Sequence, residues 1–400
     1  MPEISLTGVL VVAAVAFAVP LVLGLLPSVR LPSVVVEIVA GVVLGPAVLG
    51  LVDVDLPLRV LALIGLAFLL FLAGSEIDLE RLRGGRLRGA AVGFALSAVL
   101  ALGVAFALRA GGLIEAPLFV AIMLSATALG IVVPVLADAG ELGSTLGQQV
   151  IAAASVADFA AVILLSLFFS GEAGSVGATL LLLGGFVLLV VAIVVALAGA
   201  GHSIRLRSAL QRLQDTSAQI RVRGAFLLLV GFAVLAQVLG LEVILGAFIA
   251  GAVLRLIDRE GAMTHPLFRA KLEAVGFGVF IPFFFVTSGM ELDLGALFGG
   301  GLASLAPVPV FLLALLLVRG LTAVLYFSSA GARGTVAAGL LQATSLPFLV
   351  AAADIGVELG ELSPASGAAL VLAGLLSVLL FPLAALVLLR SGGTPIPQRE

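Results

Sequence analysis

Residues 148–170 read QQVIAAASVADFAAVILLSLFFS. The stretch is apolar and long enough to cross a bilayer core, which takes about 20 residues of helix. Its one charged residue, Asp158, lies near the middle. A charge at that depth is costly and indicates a function by default. The stretch therefore predicts a membrane helix that carries a functional carboxylate.

The composition of the whole chain is that of a membrane protein. Of its 400 residues, 62% are hydrophobic and 11% are charged, and the mean hydropathy is +1.33. Soluble domains carry roughly 25% charged residues. Long apolar runs without alternation exclude a β-barrel, whose strands alternate over about ten residues. The absence of cysteine excludes disulfides and thiolate metal sites. We expect an all-α polytopic membrane protein.

Hydropathy predicts about 13 transmembrane helices. No Lys or Arg precedes Arg30, so we interpret the first apolar stretch as a span and not as a signal peptide. The expected spans are residues 6–26, 33–51, 57–74, 89–109, 117–137, 147–170, 176–200, 224–240, 242–254, 266–289, 302–327, 334–355 and 364–389.

The basic residues predict the orientation. With the N-terminus outside and the C-terminus in the cytoplasm, 17 of the 20 Lys and Arg residues lie on the cytoplasmic side, as the positive-inside rule requires. They are Arg30, Arg81, Arg83, Arg86, Arg88, Arg205, Arg207, Arg212, Arg221, Arg223, Arg255, Arg259, Arg269, Lys271, Arg333, Arg390 and Arg399. We therefore expect a multi-pass protein of the inner (plasma) membrane, in contact with lipid and with no nucleic-acid partner.

The chain also repeats itself. A shift of 215 residues matches Gly74 to Gly289 within FLAGSEIDL and FVTSGMELDL, and a shift of 217 matches Thr127 to Thr344. Both shifts move seven spans along. Because seven is odd, the two copies face opposite ways across the membrane, which is the inverted repeat of secondary transporters.

The repeat predicts the division of the chain. We expect a first repeat of spans one to six with a connecting span seven in residues 1–200, and a second repeat of spans eight to thirteen in residues 224–390. A solvated cytoplasmic linker, residues 201–223, joins them, and residues 391–400 form a short cytoplasmic tail.

Polar residues interrupt two matching spans. They are Ser125, Ala126 and Thr127 in span five, and Gln342, Ala343, Thr344 and Ser345, followed by Pro347, in span twelve. Unwound backbone at membrane depth is tolerated only where it is buried in protein or lines a cavity, so interruptions at matching positions indicate a transport site. The two crossing helices are therefore predicted to be broken.

The residues near these interruptions predict an ion site. Ser155 lies one turn before Asp158 on the same helical face. Carboxylate, hydroxyl and freed carbonyl oxygens suit small hard cations. A proton and a monovalent cation then compete for Asp158, with Thr127, Ser155 and Thr344 helping to form the site. A carboxylate paired with a neighbouring helix for structural reasons is the alternative for Asp158.

Three other charged residues lie within or near the spans. Arg319, in span eleven, either balances the carbonyl ends of the broken helices or takes part directly by competing with the cation for Asp158. Glu37 lies near the start of span two, and we expect it to serve in packing or at an interface and not as a ligand. Asp354, near the outer end of span twelve, is expected to be solvated.

On these residues the chain resembles the monovalent cation:proton antiporter family, which includes the bacterial sodium/proton exchangers and the membrane domains of Kef-type potassium efflux systems. The resemblance covers nearly all of the chain. It rests on the stretches LPSVVVEIVAGVVLGPAVLG, FLLFLAGSEIDLERLR, LSATALGIVVPVLADAGELGSTLGQQVIAAASVADFAAVILLSL, LGAFIAGAVL and IPFFFVTSGMELDL.

The resemblance implies a fold and a function. It implies a homodimer in which a core domain crosses the membrane by an elevator-like motion, and the transport of sodium or potassium ions and protons without a cofactor. Asp158 matches the family's ion-binding aspartate, Thr127 and Thr344 match its unwound crossing, and Arg319 matches a basic residue in span eleven that is often Lys.

Two departures from the family pattern shape the expected activity. Electrogenic members carry a second Asp, and many electroneutral members an Asn, at the position that is Ala157 here. Arg319, unlike a lysine, does not deprotonate. We therefore expect electroneutral exchange. The chain ends ten residues after Arg390, so we also expect no attached nucleotide-binding regulatory domain.

Two rival interpretations remain open at this point. A sodium-coupled symporter for an organic anion keeps the fold, but its cavity needs a more polar or aromatic lining than a chain with one Tyr and no Trp offers. An intramembrane aspartyl protease needs two membrane aspartates, nominally Asp158 and Asp354, and the chain lacks that family's GxGD context. We expect a transporter and not an enzyme.

Overall fold

The computed structural model describes residues 6–25, 31–46, 48–76, 85–169, 176–201, 219–257, 267–292 and 305–390. Within these residues the secondary structure is helical. The helices of the first half are α1 (Thr7–Leu25), α2 (Ser33–Leu44), α3 (Leu56–Glu76), α4 (Gly85–Ala110), α5 (Pro117–Ser125), α6 (Leu129–Asp138), α7 (Thr145–Phe169) and α8 (Val176–Gly201). Those of the second half are α9 (Ile220–Val238), α10 (Val243–Ile257), α11 (Leu267–Val275), α12 (Ile281–Glu291), α13 (Pro307–Leu315), α14 (Phe327–Ala343), α15 (Pro347–Glu358) and α16 (Pro364–Arg390).

Nine stretches of the described chain are long and apolar enough to cross a membrane. Three shorter apolar helices accompany them. One of the nine stretches, residues 307–358, is 52 residues long and so contains more than one crossing of about 20 residues. The all-helical membrane fold is confirmed, because helices satisfy their own backbone hydrogen bonds where no water is available. The count of thirteen spans stays a prediction.

Two compact units divide the described residues. The first comprises Met1–Ala16, Val54–Asp78 and Val162–Thr287, and the second comprises Phe17–Asp53, Leu79–Ala161 and Ser288–Glu400. Each unit takes segments from both halves of the sequence. The division into repeats at residues 1–200 and 224–390 stays a prediction.

Glycines at the matched positions 74 and 289 each allow a close helix crossing. In the first unit, a Cβ at Gly74 would overlap the carbonyl oxygen of Phe248 on α10. In the second unit, a Cβ at Gly289 would overlap the carbonyl oxygen of Ile38 on α2. The 215-residue shift that matches the two glycines therefore also matches their packing role.

Some predicted features lie outside the described residues. They are the tail at residues 391–400, residues 202–218 of the cytoplasmic linker, and the basic residues Arg30, Arg81, Arg83, Arg205, Arg207, Arg212, Arg259 and Arg399.

Candidate functional site

The first interruption lies where it is predicted. Helix α5 ends at Ser125 and α6 begins at Leu129, so residues 126–128 form a non-helical segment, break one. Ala126 has extended φ/ψ angles of −77° and 159°, which end the helix. The Ser125 hydroxyl donates to the Ile122 carbonyl, 2.8 Å away, and closes the last turn of α5. The backbone of break one is buried with its side chains, which makes each of its polar groups costly to leave unpaired.

The second interruption has the same design. Helix α14 ends at Ala343 and α15 begins at Pro347, and residues 344–346 between them form break two. The Thr344 hydroxyl donates to the Leu340 carbonyl of the preceding helix, α14 (3.1 Å). Pro347, in the first turn of α15, has no N–H group, so this helix start has one donor fewer to satisfy.

The two breaks cross and bond to each other. Thr127 Oγ1 in break one donates to the Gln342 carbonyl oxygen over 2.7 Å. The backbone N–H of Ala128 donates to the Thr344 carbonyl over 2.8 Å. The two interruptions, 217 residues apart in sequence, therefore form one buried polar crossing inside the second compact unit.

Asp158 on α7 faces the start of α6. Its Oδ1 accepts from the N–H of Thr127 (3.2 Å), and its Oδ2 accepts from the N–H of Leu129 (3.3 Å). Leu129 is the first residue of α6, where unpaired N–H groups carry partial positive charge. The carboxylate thus closes break one as a charged cap supplied by another helix.

Arg319 lies beside the crossing. It sits in a π-helical turn, Leu316–Gly320, directly after α13, and its side chain is 1% exposed. Its Nε donates to Thr127 Oγ1 over 2.8 Å, and its Nη2 donates to the Ala153 carbonyl on α7 over 3.4 Å. Thr127 therefore bonds to Asp158 through its backbone and to Arg319 through its side chain.

The structure does not bring every predicted site residue to the same point. Asp158, Thr127, Gln342, Thr344 and Arg319 meet at the crossing. The Ser155 hydroxyl lies one turn before Asp158 but donates to Ile151 in its own helix (2.9 Å). Ala126 and Ala343 are buried and leave space for the backbone, with 0% exposure each.

Two acidic residues that the sequence places in the spans, Glu37 and Asp354, lie apart from the breaks. Glu37 is buried in α2, and the described residues show no hydrogen bond between it and the breaks. Asp354 on α15 was expected to be solvated, but it is partly buried and its Oδ2 accepts from the Ser288 hydroxyl of α12 over 3.1 Å. Asp354 and Asp158 thus belong to different hydrogen-bond networks, which is not the arrangement of a protease dyad.

Two further residues that the sequence does not indicate lie at or beside break two. Thr322, after the π-helical turn, contacts the Gln342 side-chain oxygen (3.2 Å). Ser377 on α16 accepts a hydrogen bond from the backbone N–H of Ser345, over 3.1 Å. Thr322 and Ser377 are uncharged, so charge does not mark them. The 217-residue shift matches Ser377 to Ala160, so the repeat does not indicate Ser377 either.

The arrangement is suited to binding a proton or a small cation. Asp158 provides the negative charge, on a carboxylate whose two oxygens face the N–H groups of Thr127 and Leu129. The Ser155 hydroxyl donates its hydrogen within α7 and retains lone pairs. Oxygen atoms of this kind are hard ligands.

The chain is similar to known proteins of one family. A family model described as "Sodium/hydrogen exchanger, transmembrane" matches residues 12–390. YjbQ of Bacillus subtilis (strain 168) is 31% identical over 399 residues, which cover 96% of this chain and 63% of YjbQ. The chain thus spans less than two thirds of that relative. The Na(+)/H(+)-K(+) antiporter GerN of Bacillus cereus is 28% identical over 366 residues, 89% of this chain and 90% of GerN.

A solved structure shares the fold. The sodium proton antiporter MjNhaP1 from Methanocaldococcus jannaschii superposes with a TM-score of 0.68 at 16% sequence identity, over 96% of this chain and 98% of that one. A likeness at this level of identity concerns the fold alone.

Proposed function

The chain belongs to the sodium/hydrogen exchanger family, and on that premise we propose that it exchanges a monovalent cation, sodium or potassium, for protons across the membrane. One observation carries the proposal: Asp158 holds its carboxylate against the broken end of α6, where the two interrupted helices cross. In this proposal Asp158 binds a proton and a cation alternately. The name of GerN, a Na(+)/H(+)-K(+) antiporter, supports the same ions.

The contacts of Asp158 suggest how one group can serve both ions. The N–H groups of Thr127 and Leu129 fix the direction of the carboxylate, so a cation meets an oriented ligand instead of a freely rotating one. When a proton takes the place of the cation, it neutralises the same oxygens. Because one carboxylate cannot hold both ions at full strength, loading one releases the other.

The hydrogen bonds also refine the expected ligand set. Thr127 Oγ1 donates to Gln342 and accepts from Arg319, so most of its capacity is used within the protein. Ser155 keeps its lone pairs. We therefore assign the cation chiefly to Asp158 and Ser155, and we assign Thr127 and Thr344 to holding the crossing in place.

The charge balance supports a one-for-one, electroneutral exchange. The side chain of Ala157, directly before Asp158, is a methyl group, so this position adds no second titrating group. Arg319 remains charged throughout the cycle, because a guanidinium does not deprotonate in proteins. A single carboxylate then accounts for one proton or one cation per transport step.

The proposal extends to how the protein moves and where it works. We propose an elevator-type cycle in a homodimer of the inner (plasma) membrane, with the N-terminus outside and the C-terminus in the cytoplasm. The family resemblance supports the cycle and the dimer. The distribution of basic residues supports the orientation.

The test is cation-driven proton movement in proteoliposomes, with sodium, potassium and lithium added in turn. Wild type is expected to dissipate a pH gradient with at least one of these ions, and Asp158→Asn is expected to abolish that response. Asp354→Asn is the matched control, because it removes a membrane carboxylate that bonds to Ser288 and not to the breaks. Wild-type exchange in Asp354→Asn, together with its loss in Asp158→Asn, supports the proposal.

Two outcomes would overturn it. Exchange that survives Asp158→Asn would show that Asp158 is structural. A wild-type protein that responds to none of the three cations would favour the organic-anion symporter. A current that scales with the ion gradient in the same vesicles would refute the electroneutral stoichiometry.

A further inference from the structure

A serine that the proposed exchange does not use lies against break two. Ser377 on α16 is fully buried, and its hydroxyl oxygen accepts from the N–H of Ser345 over 3.1 Å. The same hydroxyl lies 2.7 Å from the Gly374 carbonyl and 3.1 Å from the Ser345 carbonyl, and these two acceptors share its one hydrogen. A hydroxyl has one hydrogen and two lone pairs, so these contacts use most of its capacity.

The backbone of α16 approaches break two closely at this point. A Cβ at Gly374 would lie 2.9 Å from the Ser345 carbonyl oxygen, closer than real Cβ contacts allow. Glycine therefore permits the approach that brings Ser377, one turn later, to the Ser345 N–H. The hydrogen bond between Ser377 and Ser345 is therefore part of the close packing of α16 against break two.

One peptide plane links Ser377 to the Asp158 site. The N–H that Ser377 accepts and the carbonyl of Thr344 belong to the same planar peptide unit. That Thr344 carbonyl accepts the N–H of Ala128 in break one (2.8 Å). Ala128 lies between Thr127 and Leu129, the two residues whose N–H groups hold Asp158. Rotation of the 344–345 peptide would therefore be transmitted to the Asp158 carboxylate.

We propose that Ser377 is a positioning residue for the transported cation, because it fixes the 344–345 peptide and through it the backbone that orients Asp158. This inference rests on the proposed exchange. Without the hydroxyl, the Ser345 N–H becomes a buried donor without a partner, which the chain relieves by rotating the peptide. The cation then meets a displaced carboxylate and binds more weakly, while the translocation step keeps its rate.

The test compares Ser377→Ala and Ser377→Cys with Ser97→Ala. Ser97 is equally buried, and its hydroxyl bonds to the Val318 carbonyl (3.1 Å) and not to either break. Proton movement in proteoliposomes is titrated with sodium chloride and potassium chloride, and KM and the maximal rate are measured for each variant. Because the chain has no native cysteine, Ser377→Cys introduces a single thiol.

The expected result separates positioning from stability. Ser377→Ala raises KM about tenfold, which corresponds to about 1.4 kcal/mol, with a maximal rate within about twofold of wild type. Ser377→Cys falls between wild type and Ser377→Ala, because a thiol bonds weakly. Ser97→Ala melts at a lower temperature than wild type but keeps its KM. A wild-type KM in Ser377→Ala, or an equal rise in Ser97→Ala, would overturn the inference.

A second readout does not depend on transport. Hydrogen exchange of the backbone over residues 126–128 and 344–346 is expected to accelerate in Ser377→Ala and not in Ser97→Ala. If wild type moves no protons but hydrogen exchange still accelerates in Ser377→Ala, the proposed cation/proton transport fails and the structural link from Ser377 to the breaks stands. If cation-driven proton movement is normal in wild type and hydrogen exchange does not accelerate in Ser377→Ala, the inference about Ser377 fails and the proposed function stands.

Discussion

The two breaks present the same physical problem and solve it differently. In each, a helix starts inside the buried part of the protein, with backbone N–H groups that need acceptors. In break one the Leu129 N–H meets the carboxylate of Asp158. In break two Pro347 has no N–H to satisfy, and the Ser345 N–H meets the neutral hydroxyl of Ser377. Position 130, which the 217-residue shift matches to Pro347, is a glycine.

The consequence is an asymmetric site built on a symmetric frame. A neutral cap satisfies the backbone but cannot take up a proton or balance a cation. A carboxylate cap satisfies the backbone and also carries a charge that either ion can neutralise. In the proposed mechanism the repeat therefore supplies the scaffold, and the single charged cap of break one supplies the exchange chemistry.

The matched threonines give the largest expected contrast after the carboxylate itself. Thr127→Val removes the acceptor of the buried Arg319 Nε and the donor to Gln342, whereas Thr344→Val removes one bond to the end of the preceding helix, α14. We expect Thr127→Val to cost about 2–3 kcal/mol and Thr344→Val about 0.5–1 kcal/mol. Thermal melting in detergent measures both variants.

Exchange rates sharpen the same contrast. Thr127→Val is expected to lower proton movement in proteoliposomes strongly, and Thr344→Val is expected to leave most of it. Valine has nearly the shape of threonine, so the two substitutions differ in lost hydrogen bonds and not in volume. Equal losses in melting temperature and rate at the two positions would remove the proposed asymmetry.

A smaller effect is expected from Arg319→Lys. The lysine keeps the positive charge, but its donors sit on a single nitrogen and lack the rigid fork with which two nitrogens of Arg319 bond to Thr127 and Ala153. We expect exchange to persist, with a loss of about 1 kcal/mol in stability. Arg319→Met is the companion variant, since it removes the charge as well. A folded Arg319→Lys protein without exchange would mean that the guanidinium geometry, and not its charge, is required.

The membrane helices, the two breaks and Asp158 could be predicted from the sequence, because the sequence signals that indicate them are local. Hydropathy indicates membrane helices within one window, and polar residues at matching mid-span positions indicate the two breaks. Asp158 is conspicuous because it is the only charge in an otherwise apolar span. These features depend on residue type and spacing alone.

The remaining contacts depend on tertiary structure. Arg319 reaches Thr127 across 192 residues, and Ser377 reaches Ser345 across 32, so in neither case do both partners fall within a window of one span, about 20 residues. Residue type alone does not show where the hydroxyls of Ser155 and Thr344 donate their hydrogens, and in the structure each donates to the carbonyl four residues earlier. Asp354 looks solvated by its position, and only the packing of α12 brings Ser288 to it.

One substitution gives break one the kind of cap that break two already has. Asp158→Ser replaces the charged cap by a hydroxyl, and the measurement is sodium- or potassium-driven proton movement in proteoliposomes beside wild type, with folding checked by thermal melting. If the charge of Asp158 carries the exchange, the variant folds and moves no protons in response to either ion. A folded Asp158→Ser protein that exchanges at the wild-type rate would contradict this assignment.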